Sequence, residues 1–437
     1  MKFRIVLVGA TIFSCLPLLA QQPGAPAQTG APAGEDTAAL LQHIRDLEDR
    51  VIALEGKVRL LQSAQAQPAM AAAPTPPSAP APSEIPAAVT SAPPEVATGG
   101  AGGAAAKALN PDVSVIGDFI GSAGGNAATA FAPQQPFPAM QMHESEIGLQ
   151  AIIDPYARGD FFMSFGEEGV ELEEGYITLT ALPKGFVMKV GKMRSAFGKV
   201  NGMHNHVLPW VDRPLVVTNL GGGEDGIDDA GLSVEHILPA PKGIFLDLTG
   251  QVFRGDSGDS NSPLFHSWQH SDVSTVEHLR AYKDITESTN LDFGLSYARG
   301  HNDVGADFLT QLYGIDATVR WKPLRRSIYH SFVGRTELIW SQRQQLPFEQ
   351  RAFGFYVSGD YQFHRRWFLG GRYDQSERPQ LANLTDRGGS LVLTYWPSEF
   401  SQIRGQYRFT DYGDNVKANE LLMQVLFSLG AHGAHPF

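Results

Sequence analysis

Cysteine occurs once in 437 residues, as Cys15. It falls inside a basic start, Met1-Lys2-Phe3-Arg4, followed by the apolar run Ile5 to Ala20, which has the form of a secretory signal peptide cleaved after Ala20. The mature chain then carries no thiol, which excludes disulfides, Cys-ligated metals and Cys nucleophiles. Positive charge is also scarce: 34 Lys and Arg against 46 Asp and Glu give a net charge of -12. That balance argues against nucleic acid as a partner, because phosphate binding needs a basic footprint. After the leader no run approaches the eighteen or so apolar residues of a membrane-crossing helix. A membrane role would therefore require a closed β-barrel, since hydrocarbon tolerates no unpaired backbone groups.

Three regions follow residues 1–20. Residues 21–36 are rich in Pro, Gly, Ala and Gln and are expected to be disordered. Over 37–64 the spacing of Leu40, Ile44, Leu47, Val51, Leu54, Val58 and Leu61 forms a heptad seam, with Arg50 and Lys57 at g and Glu48 and Glu55 at e. This predicts a parallel coiled coil, and β-branched residues at a with Leu at d favour a dimer. Residues 65–110 are a Pro/Ala tract ending in Gly and Ala, a composition that makes an extended spacer.

From residue 111 to 437 the pattern changes to alternation. About sixteen segments of period two can be read, from Val113–Ile120 through Glu171–Leu182, Ile328–Trp340 and Ser390–Trp396 to Glu420–Leu429, with no helical periodicity among them. Short connections such as Asp154-Pro155-Tyr156 and His364-Arg365 alternate with longer polar ones, notably 121–143, 194–230, 255–274 and 375–389. The expected fold is an all-β transmembrane antiparallel barrel of about sixteen strands, because short turns at one end and long loops at the other are the asymmetry of outer-membrane barrels. At that strand number the lumen is aqueous, so polar side chains should point in and apolar ones toward lipid. Aromatics at strand ends, including Tyr156, Trp321, Trp340, Trp367, Tyr395, Trp396 and Tyr412, are expected in two interfacial girdles.

The longest connection, 194–230, is the third outer loop and the expected constriction. Its Arg194, Lys199, Asp212, Arg213, Glu224 and Asp225, with Arg335, Arg372, Arg404 and Arg408 on the lumen wall, are the candidate pore residues, and Asp228 and Asp229 add to the loop's charge. Wall acids such as Glu146, Asp160, Asp292 and Glu337 nearly balance the arginines, which implies a transverse field and modest selectivity. His204 and His206, His266 and His270, and His432 and His435 offer imidazole pairs, but none has a third ligand nearby in sequence, so no metal or other cofactor is expected. Gly221-Gly222-Gly223 lacks the Lys-Ser/Thr and strand-to-helix context of a phosphate loop. No serine sits in a nucleophile elbow, and no enzyme activity is expected.

The stretch ELEEGYITLTALPKGFVMKVGKMRSAFGKVN, with its "G-K-x-x-x-x-F-G" exit from a strand, and the terminal Phe437 resemble outer-membrane channels of the phosphate-selective porin O/P type. That resemblance implies a trimer and passive diffusion, although the basic lumen ladder behind phosphate selectivity is not cleanly present. HVLPWVDRPLVVTNLGGGEDGIDDAG, LTYWPSEFSQIRGQYR and SLGAHGAHPF also look like bacterial proteins labelled zinc-regulated TonB-dependent outer-membrane receptors. Energised receptors have twenty-two strands and a plug, whereas here a coiled coil and a spacer precede the barrel. The expectation is a passive porin in the bacterial outer membrane, its N-terminal segment periplasmic, with peptidoglycan as that segment's candidate contact. Its partners would be lipid, small hydrophilic or ionic solutes and copies of itself, a trimer favoured. The alternative is a receptor for a metal or metal chelate.

Overall fold

The computed structural model describes residues 111–124, 139–166, 169–259, 263–414 and 416–430. The predicted leader, coiled coil and spacer, and also His432, His435 and Phe437, lie outside them. Sixteen strands follow one another: β1 Asp112–Gly124, β2 Met140–Asp154, β3 Ala157–Gly166, β4 Gly169–Leu179, β5 Phe186–Arg194, β6 Asp228–Leu238, β7 Ile244–Phe253 and β8 Ser274–Thr286. The second half comprises β9 Thr289–Asn302, β10 Gly305–Trp321, β11 Ser331–Arg343, β12 Gln350–His364, β13 Trp367–Glu377, β14 Thr385–Ser398, β15 Ser401–Asp411 and β16 Lys417–Gly430. Each pairs antiparallel with its neighbours, and β1 pairs with β16, Ile116 opposite Ser428, so the sheet closes with no free edge. Closure satisfies the backbone within hydrocarbon. Among the described residues no helix is long and apolar enough to cross a membrane.

Alternation sorts the wall as period-two chemistry requires. On β12, Val357, Tyr361 and Phe363 are exposed outward while Tyr356, Ser358 and Gln362 are buried inside, and on β15 Ile403 and Tyr407 face out against inward Gln402, Arg404, Gln406 and Arg408. Trp367 and Tyr395 are direct cross-strand partners whose rings stack at 4.5 Å near the short-turn end. Trp340 and Phe353 pair at 5.0 Å near the other end. An apolar exterior with aromatic pairs at both rims is the surface of a membrane-spanning barrel.

Several expectations need correction. Trp396 and Tyr412 occupy inward positions and are buried, so neither belongs to a girdle. β4 stops at Leu179, so the expected strand to Leu182 overruns it by the residues preceding a 3-10 turn, Pro183–Gly185. β11 begins at Ser331 rather than Ile328, because Arg326, at φ 65°, starts a turn in which its carbonyl accepts from the Tyr329 and His330 amides. A helix interrupts the all-strand reading: α1, Leu215–Leu220, in the 194–230 connection.

The inside of the barrel is not wholly polar either. Phe197, Val200, Leu208, Trp210, Val216, Val217, Leu220 and Ile227 of the third loop bury themselves against inward Phe253, Val276, Leu312, Ile339, Tyr356 and Val392. Burying each large side chain contributes roughly 1.5–3 kcal/mol. The loop therefore folds inside the lumen as a small domain with its own apolar core.

Candidate functional site

The loop leaves β5 and returns to β6 through a buried staple. The Ser195 amide donates to the Ile227 carbonyl at 2.8 Å, and the Asn201 side chain bridges the two limbs, accepting from the Ile227 amide at 2.8 Å and donating to the Ser195 carbonyl at 3.0 Å. From there the chain crosses to the far wall. The Ala196 amide donates to Gln251 on β7, the Gly198 amide to Ser296 on β9, and the Lys199 and Val200 amides share Glu337 Oε1 on β11 at 2.8 and 2.7 Å. Gly198 sits at φ 62°, and a Cβ there would stand 2.8 Å from Glu337 Oε2, so glycine is required for both conformation and approach. The Lys199 ammonium reaches Asp292 on β9 at 3.1 Å.

Further on, Asp212 enters a nest of wall arginines. Its Oδ2 accepts from Arg372 at 2.8 Å and Arg408 at 2.7 Å, and its Oδ1 from Gln406. Arg372 also donates to Asp374, whose carboxylate accepts from the Leu215 amide at the start of α1, and Arg408 donates to Glu420. Arg404 donates to the Trp210 carbonyl at 3.0 Å, and the Arg372 guanidinium lies 4.8 Å over the Trp210 ring. Burial would raise the Asp212 pKa, but the two guanidinium groups outweigh it and hold the carboxyl at about 2. Asn219 of α1 completes the attachment by donating to Asp386 on β14.

Arg372, Arg404 and Arg408 thus face the lumen as expected, but their charges are spent on the loop and wall instead of a water path. Arg335 pairs with Asp360 at 2.6 Å on the wall. Arg213 is buried, donating to the Val200 and Met203 carbonyls at 3.2 and 2.8 Å. Burial and the nearby Arg194 charge lower its pKa to about 10.

The opposite side of the loop faces β1 to β5 across a water-accessible vestibule of about 570 Å³. Arg194, Asp212, Arg213, Glu224, Asp225 and Asp228, all among the loop charges singled out in the sequence, line it together with Glu144, Glu171 and Glu173, which were not. Asn205 bridges Glu144 and Glu224 at 2.7 and 2.8 Å, Arg194 donates to Glu173 at 3.1 Å, and His143 approaches Glu224 at 3.2 Å. Desolvation at the crowded rim, with the carboxylates of Asp259, Glu171 and Glu224, pushes Asp225 up to about 6.

At the edge of this vestibule His204 meets three carboxylates. Its Nδ1 lies 2.8 Å from Glu146 and 3.0 Å from Glu173, and its Nε2 lies 2.9 Å from Glu174; His206 Nδ1 stands 3.5 Å from Glu146. Burial would lower the His204 pKa, but the three carboxylates at its ring nitrogens raise it to about 11. Glu173 and Glu174 both point inward because β4 bulges. Phe162 of β3 pairs with Glu174 and Met163 with Leu172, which leaves Glu173 as the extra residue. A matching irregularity between β1 and β2, where Asp118 pairs with Glu144 and Phe119 with Met142, leaves His143 extra and aims it toward the same region. Strict alternation would have sent one of the two consecutive glutamates into lipid, and that conflict is the sequence signal for the bulge.

No family model matches the chain. A protein of Aquifex aeolicus (strain VF5) that bears only the name "Uncharacterized protein" is 28% identical over 387 residues, covering 76% of this chain and 81% of the relative. Among solved structures, OmpT, an outer membrane protein of Vibrio cholerae, superposes with a TM-score of 0.49 at 10% identity, over 73% of this chain and 97% of that one. The outer membrane channel DcaP of Acinetobacter baumannii gives 0.48 at 12% identity, over 73% and 96%.

Proposed function

We propose that the protein is a bacterial outer-membrane channel for passive diffusion of small hydrophilic or ionic solutes, with cations favoured. The observation that carries this reading is the vestibule: a closed barrel with an apolar exterior holds a charged, water-accessible space of about 570 Å³ between the folded-in loop and the β1–β5 wall. Glu144, Glu171, Glu173, Glu224, Asp225 and Asp228 line it against Arg194, Arg213 and His143, with Lys192 reaching Asp228 at 3.0 Å and Glu171 at 3.6 Å, while Asp212 is already neutralised by Arg372 and Arg408. A water-filled passage walled by like charge concentrates the counter-ion. This excess moves the balanced field expected from the wall residues toward cation preference and away from a phosphate channel.

Purified protein in planar bilayers should give a steady conductance with potassium more permeant than chloride. An electrically silent barrel, or a chloride preference, would contradict the reading. The energised-receptor alternative fits less well, because the barrel has sixteen strands where such receptors have twenty-two. We further propose a trimer, the state the porin resemblance implies, with the 37–64 coiled coil on the periplasmic side joining its chains in place of the dimer that its a and d residues alone favour; deleting 37–61 should then reduce oligomer size on native gels.

A further inference from the structure

Glu146, Glu173 and His204 come from β2, β4 and the third loop, residues far apart in sequence that only the folded loop brings together. One ligand atom from each lies within 4.8 Å of the others. The cluster is short of hydrogen-bond donors. His204 Nδ1 carries one proton, yet Glu146 Oε2 at 2.8 Å and Glu173 Oε2 at 3.0 Å both face it, so it cannot donate fully to both buried carboxylates. Glu173 Oε1 is buried and unpartnered, and the two residues are only 3% and 5% exposed. Buried carboxylate oxygens are costly unless a donor or a cation meets them.

We propose that Glu146, Glu173 and His204 form a binding site for one first-row divalent transition-metal ion. The ion would take the place of the proton on His204 Nδ1 and meet the carboxylates of Glu146 and Glu173. One imidazole nitrogen beside carboxylate oxygens suits Zn²⁺ and its neighbours, whereas Ca²⁺ and Mg²⁺ sites are built from oxygen alone. The surroundings fit this use. The other ring nitrogen, Nε2, is 2.9 Å from Glu174 and can donate its proton there, the arrangement that fixes the tautomer and orientation of a metal-binding histidine. Arg194 steadies Glu173 by donating at 3.1 Å to Oε2, the oxygen that also faces His204 Nδ1. Access exists too, because Glu173 and Asn205 also line the acidic vestibule, through which a cation would arrive.

This site does not depend on the channel reading, since a barrel that conducts nothing could still bind the ion. The test uses detergent-purified, chelator-treated full-length protein and Zn²⁺, with equilibrium dialysis and elemental analysis as the readout. We expect one ion per chain, binding at least tenfold weaker in Glu146→Gln and in Glu173→Gln, and unchanged in the loop control His266→Ala. Zinc-edge X-ray absorption of the wild-type complex keeps the proposal testable if a variant misfolds; it should show a single imidazole with oxygen ligands at about 2.0–2.2 Å. No stoichiometric binding, undiminished binding in both glutamine variants, equal competition by Ca²⁺, or a spectrum with several imidazoles would overturn the assignment, leaving protonated His204 as the counter-ion of the cluster.

Discussion

The two sides of the third loop use the same residue types to opposite ends. Toward β7–β15, charges are paired and dry: Asp212 lies between Arg372 and Arg408, Glu337 caps two loop amides, and an apolar core closes the gaps. Toward β1–β5, carboxylates outnumber their partners and water reaches them. Charge alone therefore says little about a pore; what matters is whether the loop consumes it. Half of the arginines expected to select solutes hold the partition in place, and the side left under-neutralised is where solute chemistry can act.

Breaking the dry side should have the largest effect. Asp212→Asn retains the shape but removes the carboxylate that Arg372 and Arg408 share, leaving each buried guanidinium a single acid, Asp374 and Glu420; removing one partner of a buried pair typically costs about 3–5 kcal/mol, an upper bound here. Hydrogen exchange at the Val211 and Leu215 amides, which the wall accepts through Gln406 and Asp374, should accelerate strongly while exchange in β2 and β3 stays unchanged. Equal protection in the variant would show that the apolar core, and not the ion pairs, seats the loop.

A milder perturbation of the same nest is acid. Asp212 titrates from an ordinary value of 3.8 in the unfolded loop and at about 2 in the folded one. Because the folded pKa is depressed, its contribution is complete above about 3.8 and is lost as pH falls toward 2; the shift corresponds to about 2 kcal/mol. Asp225 on the wet side has the opposite sign: its folded pKa is raised to about 6, so protonation as pH falls through that value favours the packed loop. Loop protection followed from pH 7.5 to 2.5 should therefore rise slightly near pH 6 and drop below pH 4. A monotonic decline through pH 6 would remove the distinction between the two sides.

The barrel was legible because its rules are local. Period-two alternation along β12 and β15 tells inside from outside, and turn residues mark each reversal. The third loop's length and its position between β5 and β6 were equally readable, but that it packs inside the lumen was not, because this depends on its apolar residues meeting the inner wall. What alternation could not show is where the rule breaks. Parity places Tyr356 inside, and there it meets Trp210 edge-on at 5.3 Å, whereas Trp396 is expected in a girdle from its place at a strand end although its parity, too, puts it inside. α1 has six residues, too few for a helical period to register. Glu146 is legible as a wall acid, but its convergence with Glu173 and Glu174 on His204 is not, for a physical reason: it requires a bulge in β4 and a loop tucked into the lumen, both of which are tertiary facts.

The smallest effect should come from the wet side itself. Glu171 lines the vestibule near the long-loop end and approaches Lys192 at 3.6 Å, with its carboxylate largely exposed. Exposed pairs of this kind contribute on the order of 0–1 kcal/mol, so Glu171→Gln should leave loop protection and thermal stability unchanged within error. It nevertheless removes one negative charge from a passage where the field is focused by low-dielectric walls. The potassium-to-chloride permeability ratio should fall modestly, by less than about twofold in ~0.1 M salt, and the difference should shrink in 1 M salt as the screening length contracts to about 3 Å. A change in stability without a change in ratio would mean that Glu171 belongs to the structural side of the partition, and the division between consumed and available charge would have to be redrawn around Arg194.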